Sequence, residues 1–320
     1  MTLLDDTLGT LNELPDTHLA LYFVASNSTK QDDKYNFIIR QVRLTDDVRP
    51  ELKQYGVAQL TTLANDKDVR QEKYGEILSS DQNLVETIAY DSIPHLDKVI
   101  SLMNWVDPFS YSPDELVKNA IGYVVKLQKE QKAVYLFKKY TQNKALSKKL
   151  LTLVLSNDKY DKLDPHTISL SQSYDFTLLV NLDSSGNIDK GEVLVLSRSY
   201  FESFLGYREK YESDVNTYKS RLLSLDSFDK PDDFIRISSN NSNSLRKLAR
   251  VLQSSYISTL THEKIKATVE THHVPVEFDE NGKIKITDDN FWIILRILDD
   301  DYLRSDMTDA EYEAHGKKKI

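Results

Sequence analysis

The chain of 320 residues contains no cysteine. This absence excludes a disulfide framework, a thiolate zinc site, an iron–sulfur cluster and a cysteine nucleophile. The sequence also lacks a phosphate-cradling glycine motif of the P-loop or Rossmann kind and a Gly-x-Ser-x-Gly elbow. The common nucleotide-binding and hydrolase classes are therefore disfavoured, and we expect no cofactor.

Long hydrophobic runs are also missing. The longest apolar run extends from Leu19 to Ala25, which suits a strand and falls short of the roughly 18 apolar residues of a membrane span. The first residues lack the basic and apolar regions of a secretory signal. We expect a cytoplasmic protein that reaches the inner membrane only through a partner.

The composition is that of an ordinary globular protein, with 40% hydrophobic and 28% charged residues. The segment from Trp105 to Pro113 holds two of the eight prolines and little periodicity, so it is the best candidate for a domain boundary. We predict an N-terminal α/β lobe of residues 1–111 and a C-terminal domain of residues 112–320.

Alternating and β-branched residues indicate strands in both lobes. In the N-terminal lobe they predict a hairpin of Leu19–Val24 with Asn36–Val42, then a helix after Thr45, a strand at 85–90 and a helix at 96–103. In the C-terminal domain they predict strands at 123–127, 133–137, 150–155, 176–182 and 193–196, with hairpin turns at 183–187 and 281–282. The predicted fold class is α+β, with a mainly antiparallel sheet packed by long helices.

Helical periodicity follows these strands. Apolar residues between Tyr200 and Leu225 recur mainly every three or four positions, which predicts one long amphipathic helix. Its apolar side either packs within its own domain or forms the seam of a homodimer or a higher homo-oligomer. Further helices are predicted from Ser244 to Tyr256 and from Thr287 to Leu298.

The most informative feature is the segment 126–149, which contains eight lysines and only one acidic residue, Glu130. We call it the lysine island; its members are Lys126, Lys129, Lys132, Lys138, Lys139, Lys144, Lys148 and Lys149. The island carries +7, so the remainder of the chain, whose total is −9, must sum to −16. Such a strip is what a phosphate backbone or an acidic protein surface attracts.

Two interpretations of the lysine island stay open. Strand alternation places Lys126 and Gln128 on one face and Tyr123, Val125 and Leu127 on the other. Lysines on an exposed edge strand protect a sheet from aggregation. Alternatively, they bind DNA without reading its sequence, because lysines contact phosphates. The DNA interpretation assigns contacts to Lys126, Lys129, Lys132, Lys138, Lys139, Lys148 and Lys149.

A second basic group, Arg246, Lys247 and Arg250, lies in a predicted helix and could extend the DNA surface or pair with acids. The acidic run Asp299–Asp301 follows another predicted helix, where negative charge needs a cation. Candidate cations are Arg304, the lysines at 317–319 or a bound metal.

Two enzyme or metal patterns are weaker. Pro113-Asp114 followed by Glu130-Gln131-Lys132 resembles the metal-binding pattern of some nucleases. Asp114, however, is also explained as a helix-start residue, and the pattern is short. The pair His272-His273 lacks an obvious third ligand nearby. We therefore expect no metal and no enzymatic activity.

The last part of the chain resembles the KwaB family. The resemblance rests on the segment 297–305 with Thr308, Tyr312 and Lys317-Lys318, and on Val134–Phe137, Tyr174–Phe176 and Phe201–Phe204 in the same order. It covers residues from about Gly122 onward. The first third of the chain carries no matching motif.

The resemblance implies the soluble subunit of the Kiwa antiphage defence system. Such a protein binds phage DNA without catalysis, acts with the membrane-embedded subunit KwaA, and hinders replication or expression of the DNA. A structural adaptor that docks on an acidic partner is the alternative, and a metal-dependent nuclease is a third. No catalytic residue is carried over.

Overall fold

The computed structural model describes residues 2–26, 37–42, 44, 46–75, 83–106, 119–140, 150–155, 166–304, 307 and 311–313. The chain divides into two compact units, Met1–Gly206 and Tyr207–Ile320, which we call unit 1 and unit 2. The division predicted from the sequence lay between residues 111 and 112. The main sheet of unit 1 contains strands from both sides of that position.

Unit 1 is built on β-strands. They are β1 (Leu19–Ser26), β2 (Phe37–Val42), β3 (Arg70–Lys73), β4 (Leu84–Ala89), β5 (Ala120–Lys129), β6 (Lys132–Lys139), β7 (Leu150–Leu155), β8 (His166–Ser171), β9 (Phe176–Leu182) and β10 (Ile188–Val195). Eight of these form one sheet in the order β2-β1-β5-β6-β9-β10-β4-β3, while β7 pairs with β8. Within the eight-stranded sheet only β3 and β4 run parallel, and the other pairs are antiparallel.

Four helices of unit 1 are described: α1 (Leu3–Glu13), α2 (Val48–Asn65), α3 (Leu96–Met103) and α4 (Arg198–Phe204). Leu11 of α1 and Leu52 of α2 belong to one apolar core with Leu21, Val125 and Leu136 of the sheet. The burial of these side chains away from water is the main force that holds the two helices on this face. The fold class α+β is confirmed.

The opposite face carries a cluster of aromatic rings. Phe137 and Phe176 stack with ring centroids 4.3 Å apart, and Phe204 of α4 meets both rings edge-on. A side chain at Gly122 would meet the Phe204 ring at 2.4 Å and the Lys138 carbonyl oxygen at 2.3 Å. Gly122 therefore permits the close approach of α4 to the sheet.

Unit 2 is mainly helical in its described residues. Its helices are α5 (Tyr207–Leu223), α6 (Pro231–Ser238), α7 (Ser242–Gln253), α8 (His262–Thr271) and α9 (Phe291–Leu298), and the short strands β11 (Tyr302–Arg304) and β12 (Glu311–Glu313) form a two-stranded sheet. Val215, Leu222, Leu248 and Leu295 lie in its core.

The prediction of one long helix from Tyr200 to Leu225 is wrong. This segment contains two helices, α4 and α5. Gly206 between them adopts a φ of 69°, a left-handed conformation that a continuous helix does not contain. The apolar side of α5 is buried within unit 2, where Val215 and Leu222 contribute to the core. The apolar residues that suggested a dimer seam are therefore used inside the unit.

The predicted turn at Asn281-Gly282 forms, with Gly282 at a φ of 77°. The residues on either side of this turn form only an isolated β-bridge, between Phe278 and Ile284, and not two regular strands. None of the helices in the described part of the chain is long and apolar enough to cross a membrane.

Candidate nucleic-acid interface

The β5–β6 hairpin holds the part of the lysine island that the structure describes: Lys126, Lys129, Lys132, Lys138 and Lys139. Lys144, Lys148 and Lys149 lie outside the described residues. Both strands of the hairpin are interior strands of the sheet, whose edges are β2 and β3. Protection of an edge strand therefore does not explain these lysines.

Lys129 and Lys132 lie at the tip of the hairpin, on either side of the turn at Glu130 and Gln131. Both side chains are exposed, and the two residues are directly opposite each other in the antiparallel register. Like charges in such a pair destabilise a sheet by about 0.2–1 kcal/mol. The pair therefore has an electrostatic disadvantage that a bound anion would remove.

Lys126 has a different environment. Its Nζ atom lies 5.5 Å from the centroid of the Tyr135 ring and donates a hydrogen bond of 3.2 Å to Oδ1 of Asn104. Burial lowers the pKa of Lys126. The predicted alternation is confirmed, since Tyr123, Val125 and Leu127 lie in the core on the other face.

Lys138 and Lys139 lie near the opposite end of the hairpin, roughly 20 Å from Lys132 at about 3.3 Å per residue. Lys138 forms an ion pair of 2.8 Å with Asp175, whose side chain is only 3% exposed. The Lys139 amide donates a 2.7 Å hydrogen bond to the same carboxylate. Burial raises the pKa of Asp175, and the contacts with Lys138 and Lys139 oppose that rise. The charge of Lys138 is thus compensated within unit 1.

The second basic group also meets acids. On α7, Lys247 forms an ion pair of 2.8 Å with Asp299 and a second one with Asp301, while Arg250 pairs with Asp299. Burial lowers the pKa of Arg250, and the neighbouring Asp299 opposes this shift. Arg246 lies half-buried on the same helix.

These ion pairs connect two features that the sequence analysis treated separately, the basic group on α7 and the acidic run Asp299–Asp301. Asp299 and Asp301 needed a cation, and the structure supplies Lys247 and Arg250, about 50 residues earlier; the candidate lysines at 317–319 lie outside the described residues. Because α7 begins at Ser242 and ends at Gln253, Arg250 lies in its last turn, where a positive charge is favourable.

The described residues include only the second half of the nuclease pattern. Asp114 lies outside them, and Glu130 occupies the hairpin turn with a φ of 53°. Among the residues that the structure describes, no three His, Asp or Glu side chains come together as a metal-binding group.

Two exposed residues that the sequence analysis did not single out lie beside the hairpin tip. Asn181 of β9 is opposite Lys132, and Lys190 of β10 is opposite Asn181. Neither belongs to the lysine island, and only the strand order brings them together. Asn181 lies inside the predicted strand 176–182, and Lys190 lies between the predicted turn at 183–187 and the predicted strand at 193–196, but neither prediction places them beside the hairpin tip.

Comparison with known proteins gives one family. The model described as Kiwa protein KwaB-like matches residues 117–308, which are more than half of the chain. No curated protein and no solved structure matches the chain. The matched range includes the β5–β6 hairpin and the ion pairs of α7. The chain therefore belongs to the Kiwa protein KwaB-like family and is a component of the Kiwa antiphage defence system.

Proposed function

We propose that this protein is a DNA-binding effector of Kiwa antiphage defence that acts without catalysis. In this proposal it contacts the phosphate backbone of phage DNA and hinders its replication or expression. It acts together with the membrane-embedded subunit KwaA, as a homodimer or a higher homo-oligomer.

The observation that carries the proposal is the pair Lys129 and Lys132 at the hairpin tip. Lysines opposite each other on interior strands serve neither edge protection nor cross-strand stability. A lysine ammonium has three donors and no acceptor. Two such groups side by side suit the oxygen atoms of adjacent phosphates.

The net charge of −9 supports a local contact. Repulsion between the acidic remainder of the protein and DNA opposes every contact away from a basic patch. Affinity should therefore depend on few lysines, and its salt slope should report their number. Each phosphate contact changes the affinity by about 3.5-fold between 50 and 200 mM salt, from a slope of about −0.9 per contact.

Salt-titrated binding of a labelled DNA duplex tests the proposal. We expect the double variant Lys129→Glu/Lys132→Glu to bind more weakly and with a salt slope smaller by about two. The matched control is Lys210→Glu/Lys219→Glu on α5, which changes the net charge equally at exposed sites. If the hairpin variant binds as tightly as the control, the hairpin tip is not the contact surface.

The same variants separate the other two functions. An adaptor that docks on an acidic partner predicts that the hairpin variant loses the membrane subunit on co-purification while DNA binding is intact. A nuclease predicts magnesium-dependent cleavage of the duplex that Asp114→Ala abolishes. Either result would replace the proposed function.

A further inference from the structure

A row of exposed polar residues crosses four neighbouring strands of the sheet. Lys129 of β5 is opposite Lys132 of β6, Lys132 is opposite Asn181 of β9, and Asn181 is opposite Lys190 of β10. Residues opposite each other across a sheet point to the same face. We call these four residues the lysine row.

A β-bulge places Lys190 on this face. The register between β9 and β10 shifts by one residue between Ile188 and Lys190, so Asp189 is the extra residue. Without this shift, Lys190 would be opposite Val180, and its side chain would point to the other face with Leu182 and Ile188. Bulges commonly re-aim a side chain toward a functional site.

The Lys190 side chain is available to a ligand. It is 71% exposed, and its contact with Glu192 has a distance of 3.9 Å with Glu192 itself 48% exposed. Such an exposed pair at the limit of contact distance contributes little to stability. Lys190 thus differs from Lys138 and Lys247, whose carboxylate partners are buried at 2.8 Å.

The dimensions of the lysine row suit a phosphate backbone. Four adjacent strands with a spacing of about 4.8 Å give a row of about 14 Å from Lys129 to Lys190, which equals the rise of about four base pairs along the helix axis of DNA at 3.4 Å each. Asn181, between the lysines, supplies an amide donor, and asparagine is among the side chains that contact phosphates.

We propose that the lysine row is a phosphate-binding track, in which Lys190 and Asn181 extend the contact of the hairpin tip along one strand of DNA. This inference rests on the proposed function and adds residues to its site. The contact is with phosphate and is independent of base sequence. The lysine row supplies three of the cations that DNA binding requires.

The test is fluorescence anisotropy of a labelled 20-base-pair duplex of mixed sequence, between 50 and 200 mM potassium chloride, with the full chain. We expect Lys190→Gln to reduce the salt slope by about 0.9 and to weaken binding equally for two unrelated sequences. Asn181→Ala should weaken binding with little change of slope, because the amide carries no charge. The control Lys219→Gln, on the exposed side of α5, should change neither quantity.

The failures of the two proposals can be told apart. If the wild-type chain binds the duplex and Lys190→Gln has the slope of Lys219→Gln, the track is wrong and the proposed function survives. If the wild-type chain does not bind DNA at any salt concentration in this range, both are wrong. If Lys190→Gln changes affinity for only one of the two sequences, contact through phosphates alone is refuted.

Discussion

Replacement of Lys132 by glutamate should make the protein more stable and, at the same time, a weaker DNA binder. In the wild-type sheet Lys132 is directly opposite Lys129, and both side chains are exposed. Like charges in this position are unfavourable by about 0.2–1 kcal/mol, and opposite charges are favourable by a similar amount. The substitution converts the first arrangement into the second.

Removal of the repulsion and addition of the attraction together span about 0.4–2 kcal/mol, and the expected gain lies in the lower half of that range. Exposed pairs are screened by water and salt, so we expect an increase of about 0.5–1 kcal/mol in the free energy of unfolding of unit 1 at low salt. For a unit of this size the melting temperature should rise by about 1–4 °C. Lys132→Thr, which removes the repulsion without adding an attraction, should give a smaller increase.

Urea unfolding followed by circular dichroism at 20 mM and 500 mM salt measures the effect. The stability gain should shrink at high salt, because its origin is the interaction between two exposed charges. Lys219→Glu provides the same change in net charge without a cross-strand partner and should not stabilise unit 1. A loss of stability for Lys132→Glu, or a gain that is equal at both salt concentrations, would refute the reasoning. If Lys132→Glu binds DNA as tightly as the wild-type chain, the pair of Lys129 and Lys132 does not contribute to DNA binding.

Three further predictions concern stability. Asp299→Asn should destabilise unit 2 by about 3 kcal/mol, since it leaves two partly buried cations of α7 without their shared carboxylate; urea unfolding, with the exposed neighbour Asp300→Asn as control, measures this. Gly122→Ala should lower the melting temperature, with a cost of about 1–3 kcal/mol from its clash with backbone and ring atoms, whereas Gly9→Ala on α1 meets no atom within 4 Å and should be neutral or stabilising. Asp183 accepts hydrogen bonds from loop amides, chiefly that of Asn187, and these lower its pKa. Its stabilising contribution is present above about pH 4 and is lost as pH falls through the lowered pKa. Asp183→Asn should therefore flatten the loss of stability in acid, and an NMR titration that finds an ordinary or raised pKa for Asp183 would contradict this.

The strands of the sheet could be predicted from local sequence because their cause is local. Alternation of apolar and polar residues from Tyr123 to Leu127 identified both the strand and the face on which Lys126 lies. The turn at Gly186 was equally visible, since a hairpin turn needs a residue with positive φ. In each case the decisive residues are within a few positions of one another.

The arrangement of the site was not predictable in this way because it depends on strand order and register. The sequence does not reveal that β5 and β6 lie inside the sheet, that β9 follows β6, or that one extra residue at Asp189 turns Lys190 to the face of Lys132. The pairing of Lys247 with Asp299 likewise joins residues 52 positions apart. Composition identified the charges, but only the fold distinguishes those that already have buried partners.

This distinction limits how strongly the described residues of a single copy can bind DNA. Among the residues that the structure describes, Lys129, Lys132 and Lys190 provide about three phosphate contacts, which give a salt slope of about −2.7 and a loss of about 40-fold in affinity between 50 and 200 mM salt. An acidic protein with so few contacts needs further cations to bind at physiological salt. An oligomer that aligns two lysine rows on one duplex would double the slope to about −5.4 without any new kind of contact. A measured slope near −2.7 that does not depend on protein concentration would therefore argue against oligomeric binding, whereas a slope near −5.4 that halves in a monomeric variant would support it.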